Sequence, residues 1–128
     1  MKKISIILLN FNRIKETEEC IRSFYLECNN DIELIVVEQA DNKDVLLMLS
    51  KYPNIRLIKT HENLGLEGWN IGCREAKGDI LLILDDDSYP ITKDILKYVI
   101  DEFNNDNKLA IIAPKIINSN GIQWPRFL

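Results

Sequence analysis

Gly78-Asp79-Ile80-Leu81-Leu82-Ile83-Leu84-Asp85-Asp86-Asp87 decides the fold, because five consecutive aliphatic residues lead straight into three carboxylates. A short apolar run without polar alternation predicts a strand buried on both faces, of the kind found in parallel sheets. Gly78 punctuates its start, and Pro90 closes the loop after its end. Three adjacent aspartates at such a strand exit repel one another, and nothing basic lies nearby in sequence to neutralise them. Carboxylate oxygens are hard ligands, and magnesium or manganese typically takes one or two of them together with substrate phosphates. A solvated acidic turn is the plain alternative, and the rest of the chain weighs against it.

Upstream, Lys3–Leu9 forms a second buried strand, dense in β-branched residues, which breaks at Asn10-Phe11-Asn12. Either asparagine would cap the next helix, from about Ile14 to Glu27, with Thr17, Cys20, Ile21, Phe24 and Cys28 on its inner face. A turn at Asn29-Asn30-Asp31 leads to a strand over Ile32–Val37, ending in Glu38-Gln39-Ala40-Asp41. Asp41 or Asn42 caps a helix to about Tyr52, with Val45, Leu46, Leu49 and Tyr52 inward. Ile55–Lys59 is a shorter, more polar strand suited to a sheet edge. His61 to Gly72 then enters a helix ending near Lys77. Downstream of the aspartates, Thr92 caps a helix to about Asn104, buried through Ile95, Leu96, Val99, Ile100 and Phe103. Leu109–Pro114 reads as a fifth strand, and Asn118-Ser119-Asn120-Gly121 as a hairpin turn.

This regular alternation implies an α/β fold: a doubly wound, mostly parallel sheet with helices on both faces. Right-handed crossovers give a strand order that begins 3-2-1-4, with a switch point between strands one and four. Ligands bind in such sheets at the carboxyl ends of the strands, at that crevice. Asn10-Phe11-Asn12 and Asp85-Asp86-Asp87 therefore face each other, with Glu38 one strand along.

The 128 residues make one domain, 1–128, with a core large enough to need no staples. At 46% hydrophobic, 28% charged and a net charge of −4, the chain has no basic stripe for nucleic acid. No apolar run has the length of a membrane span. Cys20, Cys28 and Cys73 are odd in number and lack metal-ligand spacing, so they read as free thiols of a reducing, cytoplasmic compartment.

Leu8-Leu9-Asn10-Phe11-Asn12-Arg13 resembles the opening of family 2 glycosyltransferases, inverting nucleotide-sugar enzymes of the GT-A fold. Ile35–Gln39 resembles their second strand, which usually ends in aspartate where this chain has Glu38. Asn63-Leu64-Gly65-Leu66-Glu67-Gly68-Trp69-Asn70-Ile71-Gly72 is similar to their glycine-rich segment, and Gly78-Asp79 through Asp87 to their D-x-D region. Four motifs in the right order and spacing cover the whole chain.

The resemblance implies the roles. Asn10, Phe11, Asn12 and Arg13 would border the nucleotide, with Phe11 against the base and Arg13 near phosphate. Glu38 would accept the base's ring N–H, at a distance that its extra methylene changes. Asn63, Gly65, Gly68 and Asn70 would line the donor, whereas His61 and Trp69 read as surface and packing residues. Asp87 would hold Mn2+ or Mg2+ directly, Asp85 would orient or hold a metal-bound water, and Asp86 would meet the ribose. The implied donor is a UDP- or dTDP-sugar, and the implied product a glycosylated acceptor hydroxyl, in cell-surface polysaccharide synthesis.

In this family the general base and the acceptor-binding half follow the D-x-D region. The chain therefore reads as the donor half, with no catalytic residue of its own, inactive or weakly active alone. Ile116, Ile117, Ile122, Trp124 and Phe127 would then be left partly bare, an edge through which self-association is expected. Two other classes follow. One is a non-catalytic nucleotide- or metal-binding module, which the missing general base favours for this chain as it stands. The other is a phosphoacceptor receiver domain, with Lys115 after strand five, but that class needs acids where this chain has Leu9-Asn10-Phe11-Asn12.

Overall fold

The computed structural model describes residues 2–28, 30–91 and 94–123. Strands and helices alternate as β1 (Ile4–Asn10), α1 (Ile14–Tyr25), β2 (Ile32–Glu38), α2 (Lys43–Leu49), β3 (Ile55–Lys59), α3 (Glu67–Glu75), β4 (Ile80–Asp85) and α4 (Ile95–Asn105). The four strands are parallel and ordered β3-β2-β1-β4, as the alternation predicts. The chain crosses from β3 over to the far side of β1, which puts the switch point between β1 and β4.

Side-chain alternation along β1 divides the core in two. Ile4, Ile6 and Leu8 face a large cluster built with Cys20, Ile21 and Phe24 of α1, Val45, Met48 and Leu49 of α2, and Leu96 and Ile100 of α4. Ile7 faces a smaller cluster with Ile35, Val37, Trp69 and Cys73. Three helices thus cover one face and α3 covers the other. Ile21 and Phe24 are wholly buried, and each such side chain contributes roughly 1.5–3 kcal/mol of transfer free energy. Phe24→Ala would open a cavity under β1.

Several expectations need correction. β4 is buried on one face only: Leu82 and Leu84 pack onto the larger cluster, but Leu81 is 43% and Ile83 49% exposed. The helix on that side, α3, packs mainly over β1 and β2 and meets β4 through Trp69, whose Nε1 donates to Leu84 O, so Leu81 and Ile83 stay partly bare. Residues 109–114 form no strand, because a strand needs a partner ladder and this mostly exposed segment lies beside none among the described residues. Neither Asn10 nor Asn12 caps α1; Arg13 holds the cap position without a side-chain cap bond. Asn10 is buried in the strand end, and the Asn12 carboxamide oxygen accepts instead from Asn42 Nδ2 at 3.0 Å. Met48, rather than Leu46, completes the buried face of α2. The expected Thr92 cap lies outside the described residues, as do Trp124 and Phe127.

Other expectations hold. Asn42 caps α2, its Oδ1 accepting from Asp44 N at 2.9 Å and Val45 N at 3.4 Å. Ile117 and Gln123 bridge antiparallel across the expected hairpin, with Gly121 at φ +76°. Ile116 and Ile122 are exposed there. Lys115 is exposed and outside any strand, so the receiver-type lysine after a fifth strand has no counterpart.

Candidate functional site

The carboxyl ends of the strands form one row, in which Asn10, Glu38 and Lys59 are register partners and Leu9 pairs with Asp85. Asn12, Asp41 and His61, two or three residues beyond β1, β2 and β3, adopt positive φ angles of 58°, 51° and 62°. Short polar residues tolerate this left-handed region best, and each one turns its loop sharply off the sheet. The strand ends are left as a shelf. Phe11 stands on its rim, 43% exposed, and so is no core aromatic.

Buried polar side chains make the floor. Asn10 Nδ2 donates to Arg13 O at 3.0 Å and to Thr17 Oγ1, while its Oδ1 has no partner among the described residues. Glu38 is fully buried; its Oε1 accepts from Ala40 N at 2.6 Å, and its Oε2 is likewise unpartnered. Burial raises the Glu38 pKa, opposed by the Ala40 hydrogen bond. Two unsatisfied buried oxygens at adjacent strand ends cost stability unless something donates to them.

Gln39 was not singled out from the sequence, yet it joins three parts of the site. Its backbone N–H donates to Asn10 O, its Oε1 accepts from Leu64 N at 2.9 Å, and its Nε2 donates to Gly65 O at 3.3 Å. The available signal was a glutamine directly behind the buried end of β2, where a polar group must find protein partners.

In the glycine-rich segment, Asn63 Oδ1 accepts from Gly65 N at 2.9 Å, and Gly65 sits at φ +57° with open space where a Cβ would stand. Gly68 and Gly72 serve close packing instead: added Cβ atoms would strike Leu9 and Ile7. Asn70 is exposed on α3, its Nδ2 donating to Glu67 Oε2 at 2.7 Å. Trp69 is a packing residue, as expected, with Nε1 donating to Leu84 O. His61 is on the surface, also as expected, its Nδ1 2.7 Å from Asp41 Oδ2.

Across the switch point the acidic turn has a neutralising cation after all. Arg13 Nη1 lies 3.2 Å from both Asp86 Oδ1 and Asp87 Oδ2, and Nη2 lies 3.7 Å from Glu16. Asp86 is buried, which raises its pKa, with Arg13 opposing the shift. Asp85 ends β4 and is exposed. Cys20 Sγ donates to Ser88 O at 3.0 Å, fastening the turn to α1.

The donor set suits a hard divalent cation. Its oxygens are carboxylates, and two of them already share one positive group. Among the described residues no three His, Cys, Asp or Glu side chains converge on a point. A cation held here would draw its remaining ligands from phosphate and water, as magnesium and manganese commonly do. No helix of the described residues is long and apolar enough to cross a membrane.

A sequence profile described as Glycosyl transferase family 2 matches residues 5–127. An uncharacterised glycosyltransferase of Haemophilus influenzae is 33% identical over 85 residues, covering 66% of this chain and 29% of the relative. The poly(ribitol-phosphate) beta-glucosyltransferase of Bacillus spizizenii is 28% identical over 132 residues, covering 97% of this chain and 20% of that protein. Among solved structures, the mannosyltransferase PcManGT from Pyrobaculum calidifontis, in complex with GDP-Man and Mn2+, superposes with a TM-score of 0.71. It is 21% identical, over 80% of this chain and 32% of that one, a likeness of fold. The chain spans about a third of the length of the first curated relatives it matches.

Proposed function

The chain belongs to glycosyl transferase family 2, and we propose that it forms the donor-binding part of an enzyme that moves a glycosyl group from a nucleoside-diphospho-sugar to an acceptor hydroxyl. The observation that carries this reading is the pair of buried, unpartnered oxygens, Asn10 Oδ1 and Glu38 Oε2, one and two strands from the acidic turn. A nucleotide laid across the strand ends would give its base to the first and its diphosphate to the second.

Glu38 also bears on the choice of base. Its Oε1 is committed to Ala40 N, so one carboxylate oxygen remains. Uracil and thymine offer one imide N–H, whereas guanine offers two adjacent donors that both oxygens of a carboxylate would take. We therefore favour a UDP- or dTDP-sugar. Exposed Phe11 is available to cover the base, and the Arg13 fork to meet phosphate oxygens.

Asp87 would hold Mn2+ or Mg2+ with support from Asp85, and Asp86 would face the ribose. A bound divalent cation would offset the charge that builds on the departing diphosphate. Gln39 keeps the Leu64-Gly65 turn against the floor, and Gly68 lets α3 approach it closely. The likeness to the poly(ribitol-phosphate) glucosyltransferase favours a place in cell-surface polymer synthesis.

Calorimetric titration with UDP, dTDP and GDP, with Mn2+ and with chelator, tests the reading. UDP or dTDP binding that needs Mn2+, and that Asp87→Asn largely abolishes in a folded protein, is the expected result. Equal affinity in chelator and in Mn2+ would overturn it.

A further inference from the structure

Arg13 stands 74 positions before Asp87, yet its Nη1 lies 3.2 Å from Asp87 Oδ2 and equally close to Asp86 Oδ1. Among the described residues no other basic side chain is paired with either aspartate. Asp86 is buried, and a buried carboxylate needs a partner. The backbone of Arg13 is pinned, since its carbonyl accepts from Asn10 Nδ2 at 3.0 Å and from Thr17 N at 3.3 Å. Its side chain is 45% exposed and reaches the turn on a long stem, held there by ion pairs to Glu16, Asp86 and Asp87.

We propose that Arg13 is a built-in counter-cation for the acidic turn, and that it must release Asp87 before a divalent cation is held there. The proposal rests on the donor-site reading above. Asp87 Oδ2 is engaged by the guanidinium, and two cations on one carboxylate oxygen repel at short range. Once released, the planar fork remains at the same corner of the shelf, where it matches phosphate oxygens as well as it matches carboxylates. One side chain thereby stabilises the site in two states. Metal alone must compete with Arg13, nucleotide alone meets the repelling aspartates, and with both bound the metal would bridge Asp87 to phosphate while the guanidinium meets phosphate oxygens. Cation and nucleoside diphosphate should accordingly bind with positive coupling that depends on residue 13.

The test measures Mn2+ alone, UDP alone and UDP in saturating Mn2+ on the wild-type chain, Arg13→Gln and Arg13→Lys, by calorimetry and by electron paramagnetic resonance of free Mn2+. Arg13→Gln is expected to bind Mn2+ alone about two- to tenfold more tightly than wild type, the range for losing a part-exposed ion pair. It should bind UDP in Mn2+ more weakly, so that the coupling shrinks. Arg13→Lys, which keeps the charge without the fork, should fall between. Thermal unfolding gives a second readout: in chelator Arg13→Gln melts below wild type, and Mn2+ raises its Tm by the larger amount. Equal or weaker Mn2+ binding by Arg13→Gln would overturn the counter-cation while leaving the metal site standing. Absence of Mn2+ binding in every protein, with and without UDP, would remove both.

Discussion

Asn10 and Glu38 are register partners at the ends of β1 and β2, and each carries a buried oxygen with no hydrogen-bond partner among the described residues. Left dry and unpaired, such oxygens destabilise the fold. Under the donor-site proposal, a bound nucleotide would restore the missing hydrogen bonds.

A first prediction follows for Glu38→Gln. Burial raises the Glu38 pKa, so the unfolded chain ionises before the folded one as pH climbs. Folding stability is therefore lost as pH rises from the unfolded value through the raised folded one, and the full cost is present above it. Glutamine removes that cost while its oxygen still accepts from Ala40 N. The variant should gain about 1 kcal/mol, a few degrees in Tm, at neutral pH. The gain should fade as pH falls below the folded Glu38 pKa, and UDP affinity should drop. Thermal melts across pH, beside calorimetry, check it; a gain that stays constant with pH would refute the assignment.

The glycines should divide by what their missing Cβ would meet. Gly68→Ala strikes the end of the Leu9 side chain and comes within 3.0 Å of Gln39 Oε1, both ends of flexible side chains, and alanine gains about 1 kcal/mol of helix propensity, so the net change should stay within roughly 1 kcal/mol. Gly72→Ala puts Cβ 2.5 Å from Ile7 Cγ2 and 3.1 Å from Val37 Cγ2 in the core, for a loss of about 1–3 kcal/mol. Gly78→Ala meets the Ser5 backbone nitrogen at 2.6 Å and should cost about 3 kcal/mol or more, since backbone yields least. Urea unfolding of the three variants would show that order.

Asn42 works on both of its neighbours. Asn42→Ala removes the α2 cap, for a loss of about 1 kcal/mol, together with the bond to Asn12. Asn42→Asp keeps the cap acceptor and loses only the donor to Asn12. It should melt near wild type while the Phe11-Asn12 amides exchange faster, an outcome that amide hydrogen exchange reads directly.

The three cysteines are free, and each thiol is harder to ionise than usual. Burial, reinforced by Asp86 and Asp87, pushes Cys20 to about 12; burial, then Glu27, takes Cys28 to about 11; burial raises Cys73. A disulfide reagent should find three thiols in denatured, unreduced protein and react slowly with the native one at pH 7.5, faster as pH rises. Recovery of one thiol would reveal a disulfide and overturn the reducing-compartment assignment.

The order β3-β2-β1-β4 was legible in the sequence, because strand and helix periodicities are local and crossover handedness leaves little choice. The same logic placed Asn10, Glu38 and Asp85 on one row of strand ends without any knowledge of side-chain contacts. Residue spacing grouped Gly65 and Gly68 in one segment but did not separate Gly68, packed against Leu9, from Gly65, which has open space around it. It could not mark Gln39, whose partners Leu64 and Gly65 come from a loop some 25 residues away. Nor could it show that Leu81 and Ile83 stay partly bare, because that depends on where α3 lies across the sheet.

The pairing of Arg13 with Asp86 and Asp87 lies wholly in the tertiary structure. In sequence the aspartates stand without a counter-charge. In space the parallel pairing of β1 with β4 brings the loop that follows each strand to the same end of the sheet, and the charge arrives from there. Sequence alone determined which groups leave the sheet at its carboxyl edge, since each strand's length and direction are written locally. Which of those groups meet, and which oxygens remain unpaired, was decided by register and packing, which join residues that no local pattern connects.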